Sequence, residues 1–384
     1  MDFDLSEEQQ DFVKVIRDFV DNVVRPNAER WDAEHELPLD AVRQMGELGL
    51  FGLPYPEEYG GSGADFFTLC LAIEELARAD SSLAITLEAG VGLGSMPVFR
   101  FGNERQKKEL LPPLAAGEAL AGFGLTEAGG GSDAGATRTT ARKENGEWVI
   151  NGSKSFITNS GTPITRFVTV TAVTGERDGR KEISSIIVPS GTRGFEIGNP
   201  YRKMGWWHSD TRELSFNDCR VPEENLLGEE GHGYRNFLSI LTDGRIAIAA
   251  LATGLARGCV DECLKYARER TAFGRSIGSF QALQFKIADM ATKTELARQA
   301  YYRAAWLKEK GRPYRKEAAM AKLYASEMAV DVARDAVQIH GGYGYIEEFP
   351  VCRHFRDSKI LEIGEGTSEV MRILIARELG LPES

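Results

Sequence analysis

The chain has 384 residues, 42% hydrophobic and 27% charged, a balance that sustains folded cores and excludes a largely disordered protein. Its net charge of -11 excludes the basic footprint that nucleic-acid binding requires. The length leaves room for two or three domains.

The chain opens on "MDFDLSEEQQ", which is acidic where a signal peptide is basic and apolar and a transit peptide is rich in arginine, so a cytoplasmic protein is expected. Ser6 and Gln9 have the spacing of a capping box. Behind them Phe12, Val13, Ile16, Phe19, Val20, Val23 and Val24 fall on one helical stripe. Helical periods continue through "LDAVRQMGELGLFGL" and "DFFTLCLAIEELARAD", giving an N-terminal α-helical domain over 1–120. Short runs rich in Val, Ile, Thr and Phe follow: "EWVINGSKSFIT", "RFVTVTAV", "ISSIIVPS", "GFEIG" and "RELSFNDC". They predict a middle β domain over 121–230, an antiparallel barrel or sandwich. From Tyr234 long helical patterns return, apolar over much of their surface, and predict a C-terminal helical bundle over 231–384. The fold class is α+β and multi-domain. The longest apolar run, Ile246 to Ala256, is about half of the roughly 20 residues a membrane span needs and reads as a buried helix.

Five scattered cysteines without a C-x-x-C read as reduced core thiols, and five histidines lack the spacing of a metal cluster, so no metal is expected. "GLTEAGGGSDAG" has glycines that let backbone amides approach a ligand, with hydroxyls from Thr126 and Ser132 beside them; it suits a phosphate or is a simple turn. Phe156 and Thr158 alternate on one strand, as a cover for a flat heteroaromatic ring or as core residues. Arg270, Phe273 and Gln281 fall near one helix connection, where an arginine fork suits a pyrophosphate. Gln338 lies on the last turn of a helix that Gly341 and Gly342 end. Glu365 stands between Gly364 and Gly366, either as a carboxylate facing a cavity, where lost solvent makes it a usable base, or as a solvated turn residue.

Taken together and in order, "GFGLTEAGGGSDAG", "NGSKSFITN", "KMGWWHSDTRELSFNDCRVPEENLLG", "DGRIAIAA", "RTAFG", "QIHGGYGYIEEFPVCRHFRDSKI" and "EGTSEVMR" resemble the acyl-CoA dehydrogenase family from end to end. The resemblance implies an N-terminal helical domain, a middle β domain and a C-terminal four-helix bundle, usually in a homotetramer. It implies FAD held on the flavin side by Phe123, Leu125, Thr126, Gly131, Ser132, Phe156, Ile157 and Thr158. On the adenosine-diphosphate side it implies Arg270, Phe273, Gln281, Gln338, Gly341 and Gly342, with Thr367 and Glu369 returning to the cofactor. Glu365 aligns with the base that takes the α-proton of an acyl-CoA thioester while the β-hydrogen leaves as hydride, and Ser132, Thr242, Arg245 and Gly366 fall on the substrate side. Electrons are then expected to pass to an electron-transferring flavoprotein.

Some members carry the base on the first long bundle helix, where this chain has Gly244. Three departures stand out: Gly364 where many members have tyrosine, Thr242 where several have aspartate, and Phe156 where tryptophan is frequent. Gly364 either widens the cavity toward α-branched acyl groups or leaves room that Trp206 or Trp207 fills. An acyl-CoA oxidase using oxygen, and a catalytically silent flavoprotein or scaffold of the same fold, are the competing readings.

Overall fold

The computed structural model describes residues 4–382. Its first part is helical: α1 (Glu7–Phe19) runs through a π turn (Val20–Val24) into α2 (Arg25–Glu34), followed by α3 (Leu39–Glu47), α4 (Phe66–Ala79) and α5 (Ser81–Glu88). A second π segment (Ala89–Ser95), α6 (Met96–Phe101) and α7 (Glu104–Ala115) complete it. The expected capping box is present: the Ser6 hydroxyl accepts from the Gln9 N–H at 3.2 Å, and the Gln9 side-chain oxygen accepts from the Ser6 N–H at 3.1 Å. Behind it Val13, Ile16, Phe19, Val20 and Val24 are buried.

The sheet contains β1 (Leu120–Gly124), β2 (Thr140–Glu144), β3 (Glu147–Thr158), β4 (Thr165–Arg177), β5 (Arg180–Pro189), β6 (Phe195–Ile197), β7 (Thr211–Pro222) and β8 (Leu226–Leu227). Its order is β6-β7-β3-β2-β4-β5-β8, with β1 joined to β4. The five runs read from the sequence are β3 to β7. The sheet is mixed rather than purely antiparallel, because β1 pairs with β4 in parallel. Parallel neighbours need a long connection, and the glycine-rich loop and the β2–β3 hairpin supply it. Trp148, Ile150, Val168, Val170, Ile186 and Phe216 form this unit's own core.

The last part is α8 (Gly233–Glu269), a hairpin of β9 (Thr271–Ala272) and β10 (Arg275–Ser276), α9 (Gln281–Glu309), α10 (Arg315–His340), α11 (Pro350–Ser358) and α12 (Ser368–Glu378). Helices α8, α9, α10 and α12 pack as the bundle. The apolar run Ile246 to Ala256 is buried throughout, as expected. It is buried against α4, so the N-terminal helices and the bundle share one core. The approach is close enough that a Cβ at Gly254 or at Gly258 would stand 2.2 Å from the Glu74 or the Arg78 carbonyl, respectively. Beside this seam the buried Glu74 carboxylate accepts from Arg257 at 2.7 Å, from Arg298 at 2.8 Å and from the Tyr301 hydroxyl. Ser81–Phe101 and Gly233–Glu269 are long and apolar enough to cross a membrane, yet 78% of the apolar 18-residue window in each is buried inside the protein, as in core helices.

Candidate active site

Glu365 lies in the turn between a 3-10 segment (Lys359–Glu362) and α12, with its backbone in the left-handed region at φ 53°. Among the described residues nine non-glycines have positive φ, and five of these are Asn, Asp or His, which tolerate it. The other four are Phe156, Trp206, Phe273 and Glu365, three of them site residues expected from the sequence. Strain of this kind is kept where surrounding structure holds a residue for a purpose.

The two flanking glycines have different jobs. Gly366 has φ 102°, and a Cβ there would stand 2.7 Å from Met371 Cε, so the backbone itself requires glycine. Its carbonyl accepts from Lys322 Nζ at 2.6 Å, which ties the turn to α10. A Cβ at Gly364 would meet only the Ile360 carbonyl at 3.5 Å, an ordinary contact, so this glycine leaves open space. Neither tryptophan fills it: the Trp206 ring N–H donates to Ser81, and Trp207 stacks on His35 beneath the Arg356 guanidinium.

The Glu365 carboxyl is fully buried, and apart from the neighbouring Glu88 carboxyl neither oxygen has a hydrogen-bond partner among the described residues. Burial pushes its pKa up to about 7, while the neighbouring Glu88 carboxyl, Lys322 and Arg245 pull it the other way. Lys322 is itself pushed down to about 8 by burial. Arg245, on α8, is buried, and its Nε has no partner among the described residues, a donor available to a ligand oxygen. One helical position earlier, a Cβ at Gly244 would stand 1.9 Å from a Glu365 oxygen. The absence of a glutamate at 244 is therefore also a steric condition for the one at 365. Thr242 donates its hydroxyl to the Leu238 carbonyl at 3.2 Å, within its own helix.

On the flavin side, Phe156 sits where the β3–β7 register shifts, and its positive φ turns the ring outward, 64% exposed and 5.1 Å from Tyr201. Thr158 is half-buried on the same strand. In the glycine-rich loop a Cβ at Gly130 would meet nothing, and one at Gly131 would be in ordinary contact with Thr126, so the backbone is open to a ligand; Ser132 is exposed beside it. Glu127 anchors the loop by accepting from the Arg138 and Thr139 N–H groups and from the buried Lys154. Phe123, Leu125 and Ile157 turn their side chains inward: Phe123 stacks on Phe237 at 3.9 Å beside Leu125, and Ile157 joins the β core. With their side chains turned inward, these three have only the main chain to offer a cofactor. An exposed aromatic face beside an open glycine backbone fits the ring and phosphates of FAD.

Arg270, Gly341 and Gly342 line a cleft of about 520 Å³ with Tyr266, His340 and Tyr343, and the Arg270 guanidinium lies 5.6 Å over the Tyr343 ring. Phe273, Gln281 and Gln338 stand outside it and are exposed. Thr367 caps α12 by accepting from the Val370 N–H at 3.3 Å, and Glu369 lies in that helix's first turn. Sequence reading missed Glu88 and Lys322; the signal for Glu88 is a lone carboxylate within the apolar stretch Ser81–Phe101.

Three family models match the chain: acyl-CoA dehydrogenase N-terminal domain over 6–118, middle domain over 122–219 and C-terminal domain over 231–380. The chain is 51% identical over 380 residues to a probable acyl-CoA dehydrogenase of Bacillus subtilis, covering 99% of this chain and all of that one. The butyryl-CoA dehydrogenase structure from Megasphaera elsdenii superposes with a TM-score of 0.95 at 42% identity, covering 99% of this chain and 100% of that one. A chain in the solved structure of the electron transferring flavoprotein of Acidaminococcus fermentans gives a TM-score of 0.95 at 46% identity, with 99% of each chain covered. The protein belongs to the acyl-CoA dehydrogenase family, and its cofactor is FAD.

Proposed function

We propose that the protein oxidises the α,β-bond of a short acyl-CoA, unbranched or α-methyl branched, with Glu365 as the base. The observation that carries this is the Glu365 carboxyl itself: buried, with no hydrogen-bond partner among the described residues except the Glu88 carboxyl, at about pKa 7, and facing a stretch of α8 left bare by Gly244. A base poised near neutrality is both present as carboxylate and strong enough to take a proton. The similarity to a butyryl-CoA dehydrogenase supports a short chain, and the open space at Gly364 supports a methyl branch beside the thioester. FAD, when bound, accepts the β-hydrogen as hydride. Thr126, Gly131, Ser132, Phe156 and Thr158 hold its ring side, and Arg270, Gly341 and Gly342 its diphosphate side. Arg245 positions the acyl group, and the Glu365 main-chain N–H polarises the thioester carbonyl. The likeness to a chain from an electron transferring flavoprotein structure supports such a flavoprotein as electron acceptor. Phe273, 95% exposed, and Tyr345, 84% exposed, are apolar surface of the kind a homotetramer covers.

Anaerobic titration of the FAD-loaded protein with butyryl-CoA and isobutyryl-CoA tests this. Bleaching of the flavin absorbance is expected, and in Glu365→Gln its rate should fall by a factor of about 10² or more. Near-normal bleaching in that variant removes the assignment of the base.

A further inference from the structure

Glu88 closes α5, where the chain passes into the π segment Ala89–Ser95. It is 1% exposed, and apart from the Glu365 carboxyl, which lies within hydrogen-bonding reach, neither of its oxygens has a hydrogen-bond partner among the described residues. The group that acts on it is the Glu365 carboxyl. Each carboxyl occupies a notch left by a missing side chain: a Cβ at Gly92 would stand 2.8 Å from a Glu88 oxygen, as one at Gly244 would stand 1.9 Å from a Glu365 oxygen. Arg245 from α8 and Lys322 from α10 act on Glu365, and Lys322 is also engaged by the Gly366 carbonyl. Neither cation acts on Glu88. A buried carboxylate with no donor is not sustained, and two carboxyls sharing such a cavity keep a proton between them.

We infer that Glu88 is a positioning residue for the dehydrogenation: as a neutral acid it donates its O–H to the Glu365 carboxylate and keeps that base ionised and aimed into the cavity. The inference rests on the reading of Glu365 as base. Protons balance, since the α-proton of the thioester goes to Glu365 while Glu88 retains its own. The electrostatics agree, because burial and the Glu365 charge both hold Glu88 well above the usual carboxylate range.

The test compares wild type, Glu88→Gln and Glu88→Leu, each loaded with FAD. The anaerobic rate of bleaching by butyryl-CoA is measured against pH, and infrared difference spectra of the substrate-free proteins record the carbonyl band of neutral carboxyls. Glutamine keeps a donor, so its acid limb should stay with wild type. Leucine removes the donor, so its limb should move up by about one pH unit or more, the equivalent of a hydrogen bond to a charged group. A neutral-carboxyl band that persists in wild type above pH 7 should be absent from Glu88→Gln, whereas in Glu88→Leu the Glu365 acid itself keeps such a band until its raised limb is passed. A residue that merely fills space would change the rate without moving the limb. Superimposable limbs in wild type and Glu88→Leu, or a band unchanged by Glu88→Gln, overturn the inference. Should Glu88→Leu fail to fold, the infrared comparison of wild type with Glu88→Gln decides. A wild type that holds FAD yet is bleached by no acyl-CoA overturns the dehydrogenase reading instead, while the band still reports whether the two carboxyls share a proton.

Discussion

At the scale of single residues, Glu365 sets two pH dependences of opposite sense. Its carboxylate form is the base, so flavin reduction should rise with pH through about 7 and level off above it. Stability runs the other way. Below the unfolded value near 4.5 both states hold the proton and nothing is lost; as pH rises toward about 7 the unfolded chain releases it and the folded chain does not. The ligand-free protein should therefore lose stability from this group between those limits, and Glu365→Gln should lessen that loss. Urea midpoints of the two proteins at pH 5 and pH 8 check it. Gly364 carries a different expectation. Because a Cβ there meets only an ordinary contact, Gly364→Tyr should fold with an unchanged melting temperature while losing isobutyryl-CoA as a substrate more than butyryl-CoA. The ratio of the two kcat/KM values reads this directly.

At the scale of elements, the π segment after α5 determines where Glu88 and the start of the sheet lie. Its freed carbonyls are taken up by Tyr55, whose hydroxyl donates to Val91 at 3.1 Å and meets Ser95 Oγ at 2.6 Å, and by Ser95, which donates to Gly90 at 2.9 Å. Tyr55→Phe leaves buried carbonyl oxygen short of a donor and should cost about 1–3 kcal/mol in denaturant unfolding. None of this is legible in "LEAGVGLGS", because a π turn depends on partners from distant segments rather than on a period. Strands β3 to β7 were legible because their apolar alternation is local. β1 was not, since all five of its residues are buried and the sequence shows no alternation, and neither was β2, which buries only Ala141. The site divides the same way: Glu365 stands out by its flanking glycines, whereas Glu88 and Lys322 act through contacts between helices far apart in the chain.

At the scale of the whole molecule, the shared core of α4 and α8 makes the first and last thirds of the chain one folding unit. Glu74 joins Arg257, Arg298 and Tyr301 across that seam, and Glu75 accepts from Arg17 at 3.0 Å and Arg257 at 2.8 Å, which hold its carboxylate at about 2 against the upward push of burial. Removing one member of such a network strands the others. Glu74→Ala should therefore cost about 3–5 kcal/mol and lower the melting of N-terminal and C-terminal helices together. Hydrogen exchange followed by fragment, read on α4 and on α8, should show both regions losing protection by the same amount.

The notch at Gly244 also bears on how a chemical role is written into a chain. The space it leaves admits one carboxyl, delivered by a turn near the C-terminus, although the helix backbone a bond or two away could have delivered it as well. The chemistry thus specifies a point in space and leaves the address open. A transposed protein, Gly244→Glu with Glu365→Gly, would present a carboxyl to the same cavity from the opposite wall, whereas either change made singly gives a crowded cavity or an unmanned one. Two chains with the same reaction can accordingly differ at the very residue a reader would use to recognise it.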